Sequence, residues 1–447
     1  MSFTRYPDYK DSGVKWLSSI PRLWEFKRIN MIASLNDDAL PETTDGEQEI
    51  TYVDIGSVSL SAGVEKFEVF TFKDAPSRAR RKVKDGDVII STVRTYLKAI
   101  APILNPPENL VVSTGFAVLR SKSDVKSSFT KYALQSNGFL DEIISRSTGV
   151  SYPAINASEI GFIKIPVPSL SEQTQIANFL DQETTKIDAL VTEKQKLIEL
   201  LKEKRQAVIS HAVTKGLKPK VNMKDSGVDW LGEIPEHWYI SRFCYETWVR
   251  ARLGWKGLKA DEYVDEGYIF LATPNIKESE IDFTNVNYIS LERYEESPEI
   301  MLAEGDILLT KDGSTLGTVN LVRELPKAAT VNSSIAVITP KKNLSSEFLL
   351  YLFKSSYIEN IIQLLKGGMG VPHLFQGDIN KIHIPIPPLE DQVAIAKFLK
   401  SNTENLEKLI ALSKNQIRLL TERRSVLISA AVTGQIDVRN YQPKEVA

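Results

Sequence analysis

Two kinds of hydrophobic pattern alternate along the chain, and each occurs twice. The first is a set of short apolar runs rich in Val, Ile, Tyr and Thr, at 50–58, 87–91 and 111–119, and again at 268–272, 307–310 and 334–338. Gly, Asp, Asn and Pro punctuate these runs, which predicts strands joined by turns. Short helices are expected at 128–135 and 346–355, so each globular part reads as α+β. After Pro168 and Pro388 the period changes. Leu180, Ile187, Leu190, Val191, Leu197, Ile198, Leu201 and Val208 recur at spacings of three, four and seven, as do Leu399, Leu406, Leu409, Ile410, Ile417, Leu420 and Leu427. That is a heptad-like seam with charges between. Ser171 and Glu172 offer an N-cap and an early acid for the first of these helices. Each helix should run for roughly 40 residues, about 60 Å at 1.5 Å per residue.

A lone amphipathic helix of that length leaves its stripe in water, so two matching stripes in one chain should pack on each other. The first helix ends where the second globular part begins, and the second must return from it, which predicts an antiparallel pair. The expected fold class is α+β: two globular domains joined by two long antiparallel helices in a coiled coil, with an internal pseudo-twofold repeat and the domains at opposite ends of a rod. The expected boundaries are 1–170 and 216–388 for the domains, 171–215 and 389–434 for the helices, and 435–447 for a tail.

The repeat extends to the residues themselves. KDSGVKWLSSIPRLW at 10–24 answers to KDSGVDWLGEIPEHW at 224–238, pairing Trp16 and Trp24 with Trp230 and Trp238. Asp85–Ile90 aligns with Glu304–Leu309, 116–118 with 335–337, and 165–168 with 384–387. Glu172-Gln173 aligns with Asp391-Gln392, 176–180 with 395–399, and 205–214 with 424–433. The middles, 50–85 and 240–300, match poorly. A shared frame with divergent insides fits two readers of different targets, or an old duplication whose loops drifted. The helix ending at Thr433-Gly434 lacks a following KDSGV, which the chain start at Lys10 supplies, as if a near-circular structure had been cut there. The repeated tryptophans are expected in the core.

Composition narrows the function classes. Of 447 residues, 42% are hydrophobic and 25% charged, ordinary globular values. A single cysteine, Cys244, excludes a disulfide framework and zinc-finger spacing. No secretory signal is read in the first 30 residues and no run of about 18 apolar residues occurs, so a cytoplasmic protein without a membrane span is expected. The formal net charge of −2 means that any DNA surface must be a local basic patch offset by acids elsewhere. Gly367-Gly368-Met369-Gly370 lacks the Lys-Ser/Thr of a phosphate-binding loop. His211, His237, His373 and His383 have no metal-ligand spacing, so no metal and no cofactor are expected. Asn105-Pro106-Pro107-Glu108 resembles the Asn-Pro-Pro-aromatic loop of adenine methyltransferases, but Glu stands where the stacking aromatic would be. A proline turn is the better reading, and no catalysis is expected from this chain alone.

The duplicated blocks, KDSG-x-x-W-L-x-x-I-P-x-x-W, the G-D strand, I-P-x-P-x-L-x-E/D-Q-x-x-I-A-x-F-L and R-x-x-x-I-S-x-A-V-T, resemble the specificity subunits of type I restriction–modification enzymes over essentially the whole chain. The resemblance implies two target-recognition domains, each reading half of a bipartite, asymmetric site in double-stranded DNA. It implies spacer helices that dock two methyltransferase subunits, with motor–nuclease subunits joining the full complex. Leu200 and Leu419 lie off the seam and are candidates to face a partner. Two rival readings stay open: a two-headed coiled-coil scaffold that never touches DNA, and a methyltransferase with its own target domain, which the missing cofactor loop opposes.

Sequence readout needs side chains at base edges, and affinity needs phosphate contacts. In the first half the basic run Arg78, Arg80, Arg81, Lys82 and the post-strand loop with Arg94, Tyr96 and Lys98 are the candidates, with Arg146 and Tyr152 in a second loop. In the second half they are Arg250, Arg252, Trp255, Lys256 and Lys259, the post-strand loop with Lys311, Ser314 and Thr315, and Lys366 and His373. Alignment of the post-strand loops across the repeat singles out Arg94 and Lys311.

Overall fold

The structure is a computed structural model that describes residues 4–252, 258–366 and 372–441. It divides into two compact units, Met1–Gln195 with Lys414–Ala447, and Lys196–Ser413. The two long helices, Leu170–Lys215 and Leu389–Val432, each contribute one half to each unit.

In the first unit, a four-stranded antiparallel sheet has the order Ile100–Pro102, Val88–Ser91, Phe116–Ser121, Ala33–Leu35. A second sheet has the order Glu68–Thr71, Glu49–Val53, Leu110–Ser113, Ala79–Lys82, with its central pair parallel. The apolar run at 111–119, expected as one strand, is two. It breaks at Thr114-Gly115, and its halves enter different sheets. Successive side chains of a strand point to opposite faces. Val88 and Ile90 therefore face the helices Ser127–Ala133 and Asn137–Arg146, while Ile89 points between the sheets beside Val112 and Val118. Burial on both faces explains why these strands read as continuous apolar runs rather than alternating ones.

The second unit repeats this plan with Thr247–Arg250, Ile335–Pro340, Ile307–Thr310 and Val319–Leu321 in its first sheet, and Asn287–Ile289, Tyr268–Leu271 and Ala329–Val331 in its second. Where the first unit has the Ala79–Lys82 strand, the second has the turn Pro298–Ile300, whose Ile300 carbonyl accepts from Thr330 Oγ1, preceded by the short helix Leu291–Glu295. That difference lies in the stretch where the two halves of the sequence diverge most.

Each globular part holds the start of one long helix and the end of the other. Gln173 is fully buried. Its Oε1 accepts from the Lys126 amide at 2.8 Å, and its Nε2 donates to the Pro168 carbonyl at 2.9 Å. Gln392 does the same with Ser345 and Pro387. Ser429 Oγ caps the Asn137–Arg146 helix by accepting from the Asn137 amide at 2.9 Å, and Ser210 does so for Ser356 in the second unit. Within each unit the helix halves run antiparallel. Asp188 pairs with Arg424 at 2.9 Å while Leu190 and Lys194 lie against Gln416–Arg423, and Arg205 pairs with Glu407 at 3.3 Å while Ile209 and Val213 share a core with Ile395 and Leu399. The first helix is capped by Ser169, whose Oγ accepts from the Glu172 amide, and not by Ser171. The joints also repeat. Gly216 and Gly434 end the helices at φ +78° and +72°, each beneath a Pro and a Trp, Pro235 with Trp238 and Pro21 with Trp24. Tyr9 Oη donates to the Gly434 carbonyl at 2.8 Å, so the expected closeness of the KDSGV segment and the end of the second helix is present in the first unit. Asn105 lies in a turn at φ +46° with its amide on Asp85.

The tryptophans divide. Trp24 and Trp238 are buried and Trp16 is half-buried, but Trp230 is 66% exposed, contrary to expectation. Trp16 lies over Gly138, where a Cβ would stand 2.1 Å from its ring; at the equivalent helical position the second unit has the buried Tyr357. A Gly→Ala change inside a helix ordinarily gains up to about 1 kcal/mol. Gly138→Ala is expected to lose roughly 1–3 kcal/mol instead, because the ring must be expelled. The readouts are denaturant titration and a red shift of tryptophan emission.

Candidate nucleic-acid interface

The first sheet of each unit ends in the same loop pair. In the first unit Val93 bridges Ala154, and the Ile155 amide donates to the Thr92 carbonyl at 2.9 Å. In the second, Asp312 bridges His373 and the Leu374 amide donates to the Lys311 carbonyl at 2.9 Å. The turn between the apolar strands ties in a third segment. The Thr92 amide donates to Gly115 and the Thr114 amide to Arg78, each at 2.8 Å, as Lys311 donates to Ser334 in the second unit. Three segments far apart in sequence are thereby fixed side by side, by backbone hydrogen bonds that leave their side chains free to differ.

Arg94, Tyr96, Lys98 and Tyr152 come together on the first loop pair. The Arg94 guanidinium lies 4.9 Å from the centre of the Tyr152 ring, a cation–π arrangement. Tyr96, Leu97, Val150 and Tyr152 are all more than half exposed. Thr95 Oγ1 lies 2.7 Å from Ser147 Oγ and closes the base of the pair. Arg146, also exposed, is turned back to Glu142. Arg78 is exposed at the edge of the pair. The rest of its basic run lies on the Ala79–Lys82 strand: Arg80 stacks on Phe72 at 4.5 Å, Arg81 is half-buried, and Lys82 stands 3.8 Å from Asp38.

On the second loop pair, Ser314 and Thr315 are exposed in the turn Gly313–Thr315. His373 Nδ1 hydrogen-bonds Asp312 Oδ1, and Lys311 Nζ lies 3.5 Å from Asp312. Lys366 is exposed at the end of the Ser356–Leu365 helix, and Lys259 is exposed ahead of a short turn. Trp255, Lys256 and the glycine-rich Gly367–Gly370 lie outside the described residues. Arg250 is a correction. Its side chain is 9% exposed, and it donates to Asp306 at 2.7 Å, to Thr339, and to the carbonyls of Glu299 and Met301. With both terminal nitrogens so engaged, this buried guanidinium has no free fork for DNA. Arg252, 8% exposed and paired with Glu296 at 3.5 Å, is held inside in the same way. The first unit builds the same buried carboxylate differently: Asp87 takes both arms of Arg120, which stands where Thr339 does in the second unit.

A family model, the type I restriction modification DNA specificity domain, matches residues 21–200 and 256–420. The chain belongs to this type I specificity family. The specificity subunits it resembles include two from Methanocaldococcus jannaschii. That of MjaVIII is 26% identical over 66% of this chain and 67% of the relative, and the putative MjaX subunit is 25% identical over 96% and 98%. In fold it is similar to a chain from a structure concerned with complex assembly and conformational transition of the type I R-M system, with a TM-score of 0.73 at 20% identity, covering 93% of this chain and 99% of that one. The HsdS subunit from Thermoanaerobacter tengcongensis gives 0.51 at 21% identity, with 93% and 98% covered. As a specificity subunit, the chain is a non-catalytic, DNA sequence-recognising component of a type I restriction–modification enzyme. No helix among its described residues is long and apolar enough to cross a membrane.

Proposed function

We propose that residues 1–170 and 216–388 of this specificity subunit each read one half of a bipartite, asymmetric site in double-stranded DNA. The observation that carries this is the loop pair, held by the same backbone bridges on a duplicated frame but presenting Arg94, Tyr96, Lys98 and Tyr152 in one copy and Lys311, Ser314, Thr315 and His373 in the other. Equal frames with unequal side chains are what an asymmetric target requires. Arg78, Arg80, Arg81, Lys82, Arg146, Lys259 and Lys366 are assigned to phosphates, which position without specifying sequence. The long helices set the gap between half-sites. Their exposed apolar positions, Leu200 and Leu419 among them, dock two methyltransferase subunits, and motor–nuclease subunits join them, in the cytoplasm.

Mapping methylated motifs in genomic DNA of cells carrying the subunit with its methyltransferase partner tests this. A split motif with a fixed gap is expected. Inserting one heptad into both helices lengthens each by about 10 Å. At 3.4 Å per base pair that widens the gap by about three base pairs and leaves both half-sites unchanged. A continuous motif, or half-sites that change with helix length, would refute the assignment.

A further inference from the structure

Among the described residues, four that are not glycine adopt positive φ: Asn36, Arg94, Lys98 and Asn105. Asparagine tolerates that region; arginine and lysine rarely enter it. Arg94 sits at φ +50° and Lys98 at φ +51°, flanking the turn Thr95–Leu97. The repeat shows what the backbone asks for. At the spacing that relates Asp87 to Asp306, Arg94 answers to Gly313 at φ +79° and Lys98 to Gly317 at φ +92°. The hydrogen bonds agree: the Leu97 amide donates to Arg94 as Leu316 does to Gly313, and Ser91 donates to Ala99 as Thr310 does to Thr318. The two loops therefore share a left-handed residue at each end, glycine at both in the second copy and long cations at both in the first, although the short turn begins one residue earlier in the second, at Gly313–Thr315.

Strain of this kind persists where the side chain has something to do. Among the described residues, neither cation has a use within the fold that would explain it. Among the described residues, Arg94 has no carboxylate partner, and its contact is the exposed face of Tyr152, itself 66% exposed. That ring holds the guanidinium on an exposed surface, in a loop pair that also carries exposed Tyr96 and Val150. A planar fork held in place suits the O6 and N7 acceptors of guanine in the major groove. Lys98, a point charge at the other end of the turn, suits a phosphate oxygen.

We propose that Arg94 is a specificity-determining residue of the first domain, reading a guanine in its half-site, that Lys98 grips the adjoining phosphate, and that the second domain approaches its half-site with bare backbone at Gly313 and Gly317. This rests on the DNA-recognition reading above. The test uses the assembled methyltransferase complex, with Arg94→Gly, Arg94→Lys and Lys98→Gly variants, on duplexes carrying every single-base change in both half-sites.

Arg94→Gly should lose preference for guanine at one position of one half-site by roughly 10- to 100-fold, and leave the other half-site untouched. Arg94→Lys should lose the same preference, since the charge remains but the fork does not. Lys98→Gly should weaken all sequences alike and lower the slope of log affinity against log salt by about one. Thermal midpoints of both glycine variants should be unchanged or higher, because glycine relieves the backbone. Unaltered base preference in Arg94→Gly, or a lower midpoint with preference intact, would overturn the proposal and make these residues props of the loop. Absence of any base preference in the parent complex would overturn the recognition reading itself.

Discussion

Exchanging residues 1–170 for the same segment of another specificity subunit is expected to replace one half of the recognised sequence and leave the other half as it was. The first globular part carries buried clusters of its own within and between its sheets, and shares a further core with the long helices. Its attachments to those helices are backbone bonds, the Lys126 amide to Gln173 and the Asn137 amide to Ser429, together with side-chain contacts such as Tyr6 with Glu172 and Tyr132 with Asp181. A foreign domain that repeats this frame can use the same attachments whatever its loops carry. Specific DNA binding exceeds non-specific binding by roughly 10³- to 10⁷-fold. Methylation at the old site should therefore fall to background while the hybrid site becomes modified. Motif mapping decides the matter, with co-purification of the methyltransferase partner as the folding control. A hybrid that changes both half-sites would show that the domains do not read independently.

The second large effect is expected from Asp306→Ala. Asp306 is 1% exposed and accepts from the Ala303 amide, Arg250 and Thr339. Removing it leaves Arg250, itself 9% exposed, as a buried charge without its counterion. Such a loss costs about 3–5 kcal/mol. That is a large share of the roughly 5–15 kcal/mol that holds a domain folded. The parallel variant Asp87→Ala should cost clearly less, because its partner Arg120 keeps 26% of its side chain in contact with water and can turn outward. Chemical denaturation of the two variants side by side is the measurement. Equal losses would show that exposure of the arginine is not what sets the cost.

The long helices were legible because a stripe recurring over some forty residues leaves no competing pattern. The duplicated frame was legible because its blocks repeat in order. What escaped depended on partners distant in sequence. The run at 111–119 is apolar on both sides of Ser113-Thr114-Gly115, since both halves are buried, so periodicity alone could not show that the halves enter different sheets. Trp230 repeats Trp16 in sequence, yet it is exposed, and where Trp16 packs on Gly138 the second half has Tyr357. Arg250 looked like part of a basic surface because a charge in the sequence does not announce the carboxylate that will bury it. The strain at Arg94 and Lys98 had a readable trace, two cations aligned with two glycines, but its meaning needed the backbone angles.

The backbone bridges at Val93–Ala154 and Asp312–His373 bear on how such a protein changes over time. They hold the loop conformation from outside the loop, so substitutions within it alter what is presented without requiring a new chain path. A lineage can drift from glycine to a strained cation and back at a cost of about 1–2 kcal/mol per position. If these loops read DNA as proposed, the rigidity of the frame is what makes the recognised sequence evolvable, and the stability of the cores limits how many such experiments a lineage can carry at once.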